Sequence, residues 1–143
     1  KFALDFGYTF TDSYDANTCD PDELSAYSDN ECRLTGNKMV NAKVRVPRHA
    51  MEGKLNYLIN KNLTSSLNGK YVGETRDFGN SNDSWTDQIL TDYFVFDLVN
   101  TYNLFDNYKI QLSINNIFDE KYQQAHEYST MGRTFNFGIR RIY

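Results

Sequence analysis

KFALDFGYTFT, residues Lys1–Thr11, is the stretch on which the fold turns. In an extended chain Phe2, Leu4, Phe6, Tyr8 and Phe10 share one face, while Ala3, Asp5, Gly7, Thr9 and Thr11 share the other. That is the period of a β-strand with one oily and one polar side. The same period recurs downstream. HAMEGKLNYLI sets Met51, Leu55, Tyr57 and Ile59 opposite Glu52, Lys54 and Asn56. LTSSLNGKYVGE sets Leu63, Leu67 and Tyr71 opposite Thr64, Ser66, Asn68 and Lys70, loosened by Gly69 and Gly73. YFVFDLVNTYNLF places Phe94, Phe96, Leu98, Tyr102 and Leu104 against Asp97, Thr101 and Asn103, with Asn100 as an exception on the apolar face. YKIQLSINNIF and RTFNFGIRRIY follow, with Tyr108, Ile110, Leu112 and Ile114, then Phe135, Phe137, Ile139 and Tyr143, on the oily side.

These patterns predict strands over about 1–13, 43–59, 63–77, 92–105, 108–119 and 132–143. Their connections alternate in kind. INKNL near Asn60 and FDN near Asp106 read as tight turns, whereas the segments after Ser13, Phe78 and Tyr122 are long and polar. An antiparallel up-and-down meander with short turns at one end and long loops at the other is the organisation of an outer-membrane β-barrel.

A soluble, half-buried antiparallel sheet predicts the same alternation. Two features favour the membrane. Aromatics recur near the strand ends, at Phe10, Tyr57, Tyr71, Phe94, Tyr102, Tyr108 and Tyr143, where interfacial girdles sit. The opposite face carries Asp5, Glu52, Lys54, Lys70, Asp97 and Lys109, which suits a wet interior. An open six-stranded sheet in hydrocarbon would leave unpaired edges, each backbone group costing several kcal/mol. The expectation is therefore the last part of a larger barrel.

Composition excludes little else. The chain has 143 residues, and its 11 Tyr and 10 Phe against 2 Pro favour strands. A net charge of -4 argues against a nucleic-acid surface. No apolar run approaches the roughly 20 residues of a spanning helix. No signal peptide is visible at Lys1, so an export signal is expected to lie upstream or to have been removed. The apolar strand running to the final residue leads to the expectation that the terminus itself is used.

Three stretches carry a family likeness. VPRHAMEGKLNY (Val46–Tyr57), NNIFDEKY (Asn115–Tyr122) and the tail HEYSTMGRTFNFGIRRIY resemble the C-terminal barrel of TonB-dependent outer-membrane receptors. YVGETRDFGN (Tyr71–Asn80) fits as well, where such receptors carry a Gly, an Arg and an Asp as a strand leaves the membrane. The resemblance implies a barrel of about 22 strands, of which these are the last six. It also implies a plug and a TonB-contacting segment upstream, absent from this chain, and location in the bacterial outer membrane as a multi-pass protein. By the same resemblance, Tyr143 with Ile139 and Phe137 forms the terminal signal read by the barrel-assembly machinery; the family usually ends on Phe, so Tyr143 is a mild departure. Arg141 would then face lipid near the interface, at a cost of only about 0 to 1 kcal/mol.

Within that superfamily the spacing from NNIFDEKY through EYSTMGR most resembles cobalamin receptors. This implies active TonB-coupled import of cobalamin, with Tyr128 and Ser129 touching the ligand. Rigid loop aromatics such as Tyr128 and Trp85 suit a planar corrin, although both also read as ordinary loop and girdle aromatics. Siderophore and haem receptors share the barrel tail and stay open, as does a passive or structural barrel.

The remaining candidates lie in loops. Cys19 and Cys32 form an even pair in an exported context, which suggests a disulfide worth about 3 kcal/mol for a loop of roughly 15 residues. Asp15, Asp20, Asp22, Glu23, Asp29 and Glu31 offer hard oxygens to calcium, but the EF-hand spacing is absent and a solvated acidic loop is the commoner object. No cofactor and no metal site is expected. His49 and His126 are the only histidines, and neither sits in G-x-S-x-G or H-E-x-x-H, so an enzyme is not expected. The expected partners are a cobalamin or iron-chelate ligand, the TonB complex, the assembly machinery and outer-membrane lipid.

Overall fold

The computed structural model describes residues 1–13, 44–81, 84–105 and 107–141, with backbone alone for 78–81 and 84–87. Ten strands occur among them: β1 (Phe2–Phe10), β2 (His49–Leu58), β3 (Leu63–Val72), β4 (Thr75–Ser81), β5 (Ser84–Leu90), β6 (Tyr93–Leu104), β7 (Tyr108–Asn115), β8 (Gln123–Ala125), β9 (Tyr128–Ser129) and β10 (Thr134–Arg141). Six of them form one antiparallel sheet in the order β1-β2-β3-β6-β7-β10, so every neighbour in the sheet is the next long strand along the chain.

The register explains the alternation. Leu4 pairs with Leu55, Leu55 with Leu67, Leu67 with Leu98, Leu98 with Ile114, and Ile114 with Phe135. One row of branched and aromatic side chains thus crosses all six strands on a single face. Each such cross-strand pair contributes about 0.2–1 kcal/mol. The facing row is hydrophilic, running Asp5–Lys54–Asn68–Asp97, and beside it Glu52 sits opposite Lys70. A groove of about 590 Å³ follows these charges along the polar face.

Nothing among the described residues covers the apolar face. Phe2, Phe6 and Phe135 are 76%, 71% and 72% exposed, and the buried large apolar side chains among the described residues are Leu90 and Tyr93, both outside the middle of the sheet. A soluble sandwich would have buried these rows against a second layer. No helix in the described residues is long and apolar enough to cross a membrane.

The two ends of the sheet differ. At one end Asn60 makes the tight β2–β3 turn, its side-chain Oδ1 accepting from the N–H groups of Asn62 and Leu63, each at 2.9 Å. Phe105 turns β6 into β7 with φ 52°. At the other end, the sequence predicts one strand over 63–77 followed by a loop. Instead β3 ends at Val72, and β4 and β5 pair with each other as a separate antiparallel pair, Thr75 opposite Leu90 and Ser81 opposite Ser84. The segment after Tyr122 likewise contains the small β8–β9 hairpin, turning at Glu127 with φ 66°. The strand predicted from 43 begins at His49.

Candidate functional site at the long-loop end

Three chain segments meet at the end that carries the hairpins, and Asp77 holds them. Its carboxylate is 1% exposed. Oδ1 accepts from Arg45 Nε at 3.0 Å, and Oδ2 accepts from the backbone N–H of His126 at 2.7 Å. The main chain adds a bond from Arg45 N–H to the Arg76 carbonyl, 2.8 Å. One buried carboxylate therefore ties the approach to β2, the β4–β5 hairpin and the β8–β9 turn. Charge-assisted bonds are shorter and stronger than neutral ones; here the carboxylate is buried while the Arg45 side chain is 58% exposed.

A second fastening comes from NNIFDEKY. Asn116, 4% exposed, takes a left-handed conformation with φ 52°. Its side-chain amide closes a ring on Glu120, accepting from Glu120 N–H at 2.8 Å and donating to the Glu120 carbonyl at 2.9 Å. Its own N–H donates to Asp97 Oδ1 at 2.8 Å, which anchors the loop to β6. Asp119 then reaches forward, accepting from Arg133 N–H at 2.8 Å and from Lys121 Nζ at 3.1 Å. The Arg133 N–H first, and then Lys121, hold the Asp119 carboxyl below its ordinary value. At Gly132 an added Cβ would meet Asp119 Oδ1, so a side chain there would displace the carboxylate from its bonds to Arg133 and Lys121.

Between the two fastenings lies a cavity of about 450 Å³. Gln88, Leu90, Lys121, Tyr122, His126 and Ser129 are among the residues that line it. Two contacts hold its Tyr122: Tyr93 stacks on that ring with centroids 4.1 Å apart, and Thr130 Oγ1 donates to the Tyr122 carbonyl at 2.8 Å. Amide, hydroxyl, ammonium and imidazole groups thus line a pocket whose walls are aromatic and aliphatic, suited to a ligand with polar edges.

The predicted contact residues distribute unevenly. Ser129 lines the cavity, and Tyr128 beside it on β9 is 73% exposed. Trp85 lies on β5 in register with Asn80, with its side chain outside the described residues. Phe137 and Ile139 are exposed on the apolar face of β10, opposite Leu112 and Ile110. Tyr143, Cys19, Cys32 and the acidic segment 15–31 lie outside the described residues. His126 lines the cavity, and His49 packs between rings, 6.2 Å from Tyr8 and 5.4 Å from Phe10 by centroids. Lys121 and Tyr122 carried a signal only as the end of NNIFDEKY.

No protein-family model matches the chain, and no curated protein matches it by sequence. Solved structures do. The ferric-catecholate import receptor Fiu from E. coli K12, in its closed form, superposes with a TM-score of 0.69 at 19% identity, covering 99% of this chain and 19% of that one. The ferripyoverdine receptor of the outer membrane of Pseudomonas aeruginosa, bound to ferripyoverdine, gives 0.62 at 19% identity over 75% of this chain and 15% of that one. The ferric enterobactin receptor PfeA of P. aeruginosa, as the G324V mutant, gives 0.56 at 19% identity over 68% and 16%. The likeness shows the fold: the sheet is a stretch of antiparallel β-barrel wall, and this chain spans less than a fifth of the length of those receptors.

Proposed function

We propose that this chain is part of the barrel of a TonB-coupled outer-membrane receptor that imports a large, scarce nutrient. In this reading the oily rows meet acyl chains, the charged rows surround a plugged aqueous interior, and the long-loop end faces outward to receive the ligand. The observation that carries it is the Asp77 fastening. A passive pore has little need to lock three outward segments around a lined cavity, whereas a receptor must present its contacts pre-formed.

An iron chelate is the ligand the reading favours. Fiu and the ferripyoverdine receptor are described as receptors for ferric catecholates and for ferripyoverdine, and the cavity beside Ser129 offers donors for anionic oxygens at Lys121 and His126. Cobalamin remains a second candidate on one observation: Tyr128 presents a ring free for stacking beside that cavity. Uptake by cells carrying the complete receptor, measured in parallel with radiolabelled ferric siderophores and radiolabelled cobalamin, decides between them. Accumulation of an iron chelate that depends on TonB and falls with Lys121→Gln supports the proposal. Accumulation of cobalamin alone reassigns the ligand, and TonB-independent diffusion of both refutes active import.

A further inference from the structure

On the apolar face the sheet has a gap. Gly53 of β2 pairs with Gly69 of β3, and this glycine pair lies between Phe6 of β1 and Phe96 of β6 in the same cross-strand row. Two neighbouring positions without side chains leave a notch of about 270 Å³, walled by Phe6, Met51, Leu55, Leu67, Tyr71 and Phe94 among others. The Phe96 ring closes over Gly69, where a Cβ would meet Cε1 at 2.8 Å, but Gly53 is open, with nothing nearer than 3.9 Å to its missing Cβ.

Four residues up the same strand, about 13 Å along it, His49 opens β2, and Arg48 precedes it at the rim. The Arg48 guanidinium lies 5.3 Å from the centroid of the Phe10 ring, and its only acidic neighbour among the described residues, Asp12, is 3.9 Å away. His49 Nδ1 is held by the Tyr8 hydroxyl at 2.9 Å. The rim therefore presents a guanidinium and an imidazole beyond the end of an apolar slot.

We infer that Arg48, His49 and the Gly53–Gly69 notch form a binding site for one membrane lipid with a net-anionic phosphate headgroup, the headgroup on the rim and an acyl chain in the notch. This rests on the reading of the sheet as outer-membrane barrel wall. Charge complementarity selects the headgroup, since a basic side chain at the surface attracts anionic lipid. The chain goes to the notch because the slot opens on the apolar band that adjoins it. Water there would find almost no polar partner.

The test uses the complete barrel carrying this chain, purified in a neutral sugar detergent and titrated with phosphatidic acid and with phosphatidylcholine of the same chain length, bound lipid being counted by native mass spectrometry. Saturable binding of one phosphatidic acid is expected. Arg48→Gln should weaken it about fivefold, the effect of one cation near a headgroup surface, while leaving phosphatidylcholine unchanged. Gly53→Leu, whose Cβ meets nothing nearer than 3.9 Å and whose isobutyl group would occupy the notch, should weaken both lipids, and more for long chains than for short ones. Equal binding of the two headgroups, or indifference to both substitutions in a folded barrel, overturns the site. A free-phosphate titration that competes away the lipid's preference without chain-length dependence would overturn the notch's part in it. A protein that stays monomeric and folded without any detergent would instead sink the barrel reading on which the site depends.

Discussion

Asp77 accepts a hydrogen bond from the backbone N–H of His126 at 2.7 Å, although 49 positions separate them in the chain. The bond joins two hairpins that share no strand ladder with each other in the main sheet. Removing the carboxylate leaves a peptide N–H without its acceptor, a loss of about 1–3 kcal/mol. Asp77→Ala is therefore expected to open the β8–β9 turn locally while the six-stranded sheet stays folded. Hydrogen exchange by mass spectrometry on the complete barrel checks this: faster exchange at 123–130 with unchanged exchange in β2 and β3 is expected, and unchanged exchange at 123–130 contradicts it.

Gly69 is fixed by close approach. A methyl group there would press into the Phe96 ring, which also makes an edge contact with Phe118 at 5.6 Å between centroids. Overpacking of this kind costs about 1–3 kcal/mol. Gly69→Ala should lower the urea midpoint of the barrel in micelles, Gly53→Ala should not, and Phe96→Leu should relieve the Gly69→Ala defect. Equal effects at the two glycines would show that the ring simply swings away.

The Asp119 carboxyl is held below the ordinary value of 3.8, first by the Arg133 N–H and then by Lys121. A depressed folded value means that its contribution is present in full above the unfolded value and is lost as pH falls through the folded one. The turn at Gly132–Arg133 should therefore be indifferent to pH from neutrality down to about pH 5, and loosen only below the usual carboxylate range. Carbon-detected NMR of the Asp119 carboxyl in the complete barrel provides the measurement; a midpoint at or above 3.8 contradicts the assignment.

The main sheet was legible because its physics is local. A strand with one face in an apolar medium must alternate, and Lys1–Thr11 states that alternation without interruption, so the residue set on each face followed from the letters alone. The register row from Leu4 to Phe135 needed only the assumption that successive long strands pair. The hairpins were not legible. TRDFGNS and SWTDQIL lack a clean period, since β4 and β5 pair only with each other beyond the end of the main sheet. Asp77 carried a motif signal but no partner, because a buried carboxylate selects its donors by three-dimensional proximity, and neither Arg45 nor His126 is near it in sequence. Tyr128 and Ser129 came from resemblance, and the cavity that Ser129 shares with Lys121 and His126 became visible only in three dimensions.

The central claim is that the row Leu55, Leu67 and Leu98 faces hydrocarbon while Lys54, Asn68 and Asp97 face water. Spin labels placed singly at these six positions of the complete barrel in lipid bilayers, with collision rates measured against oxygen and against a water-soluble nickel chelate, test it most directly. The account predicts high oxygen and low nickel accessibility at the three leucine positions, with the opposite at their neighbours. Leucine-position labels shielded from both reagents, as in a packed protein interior, would contradict it.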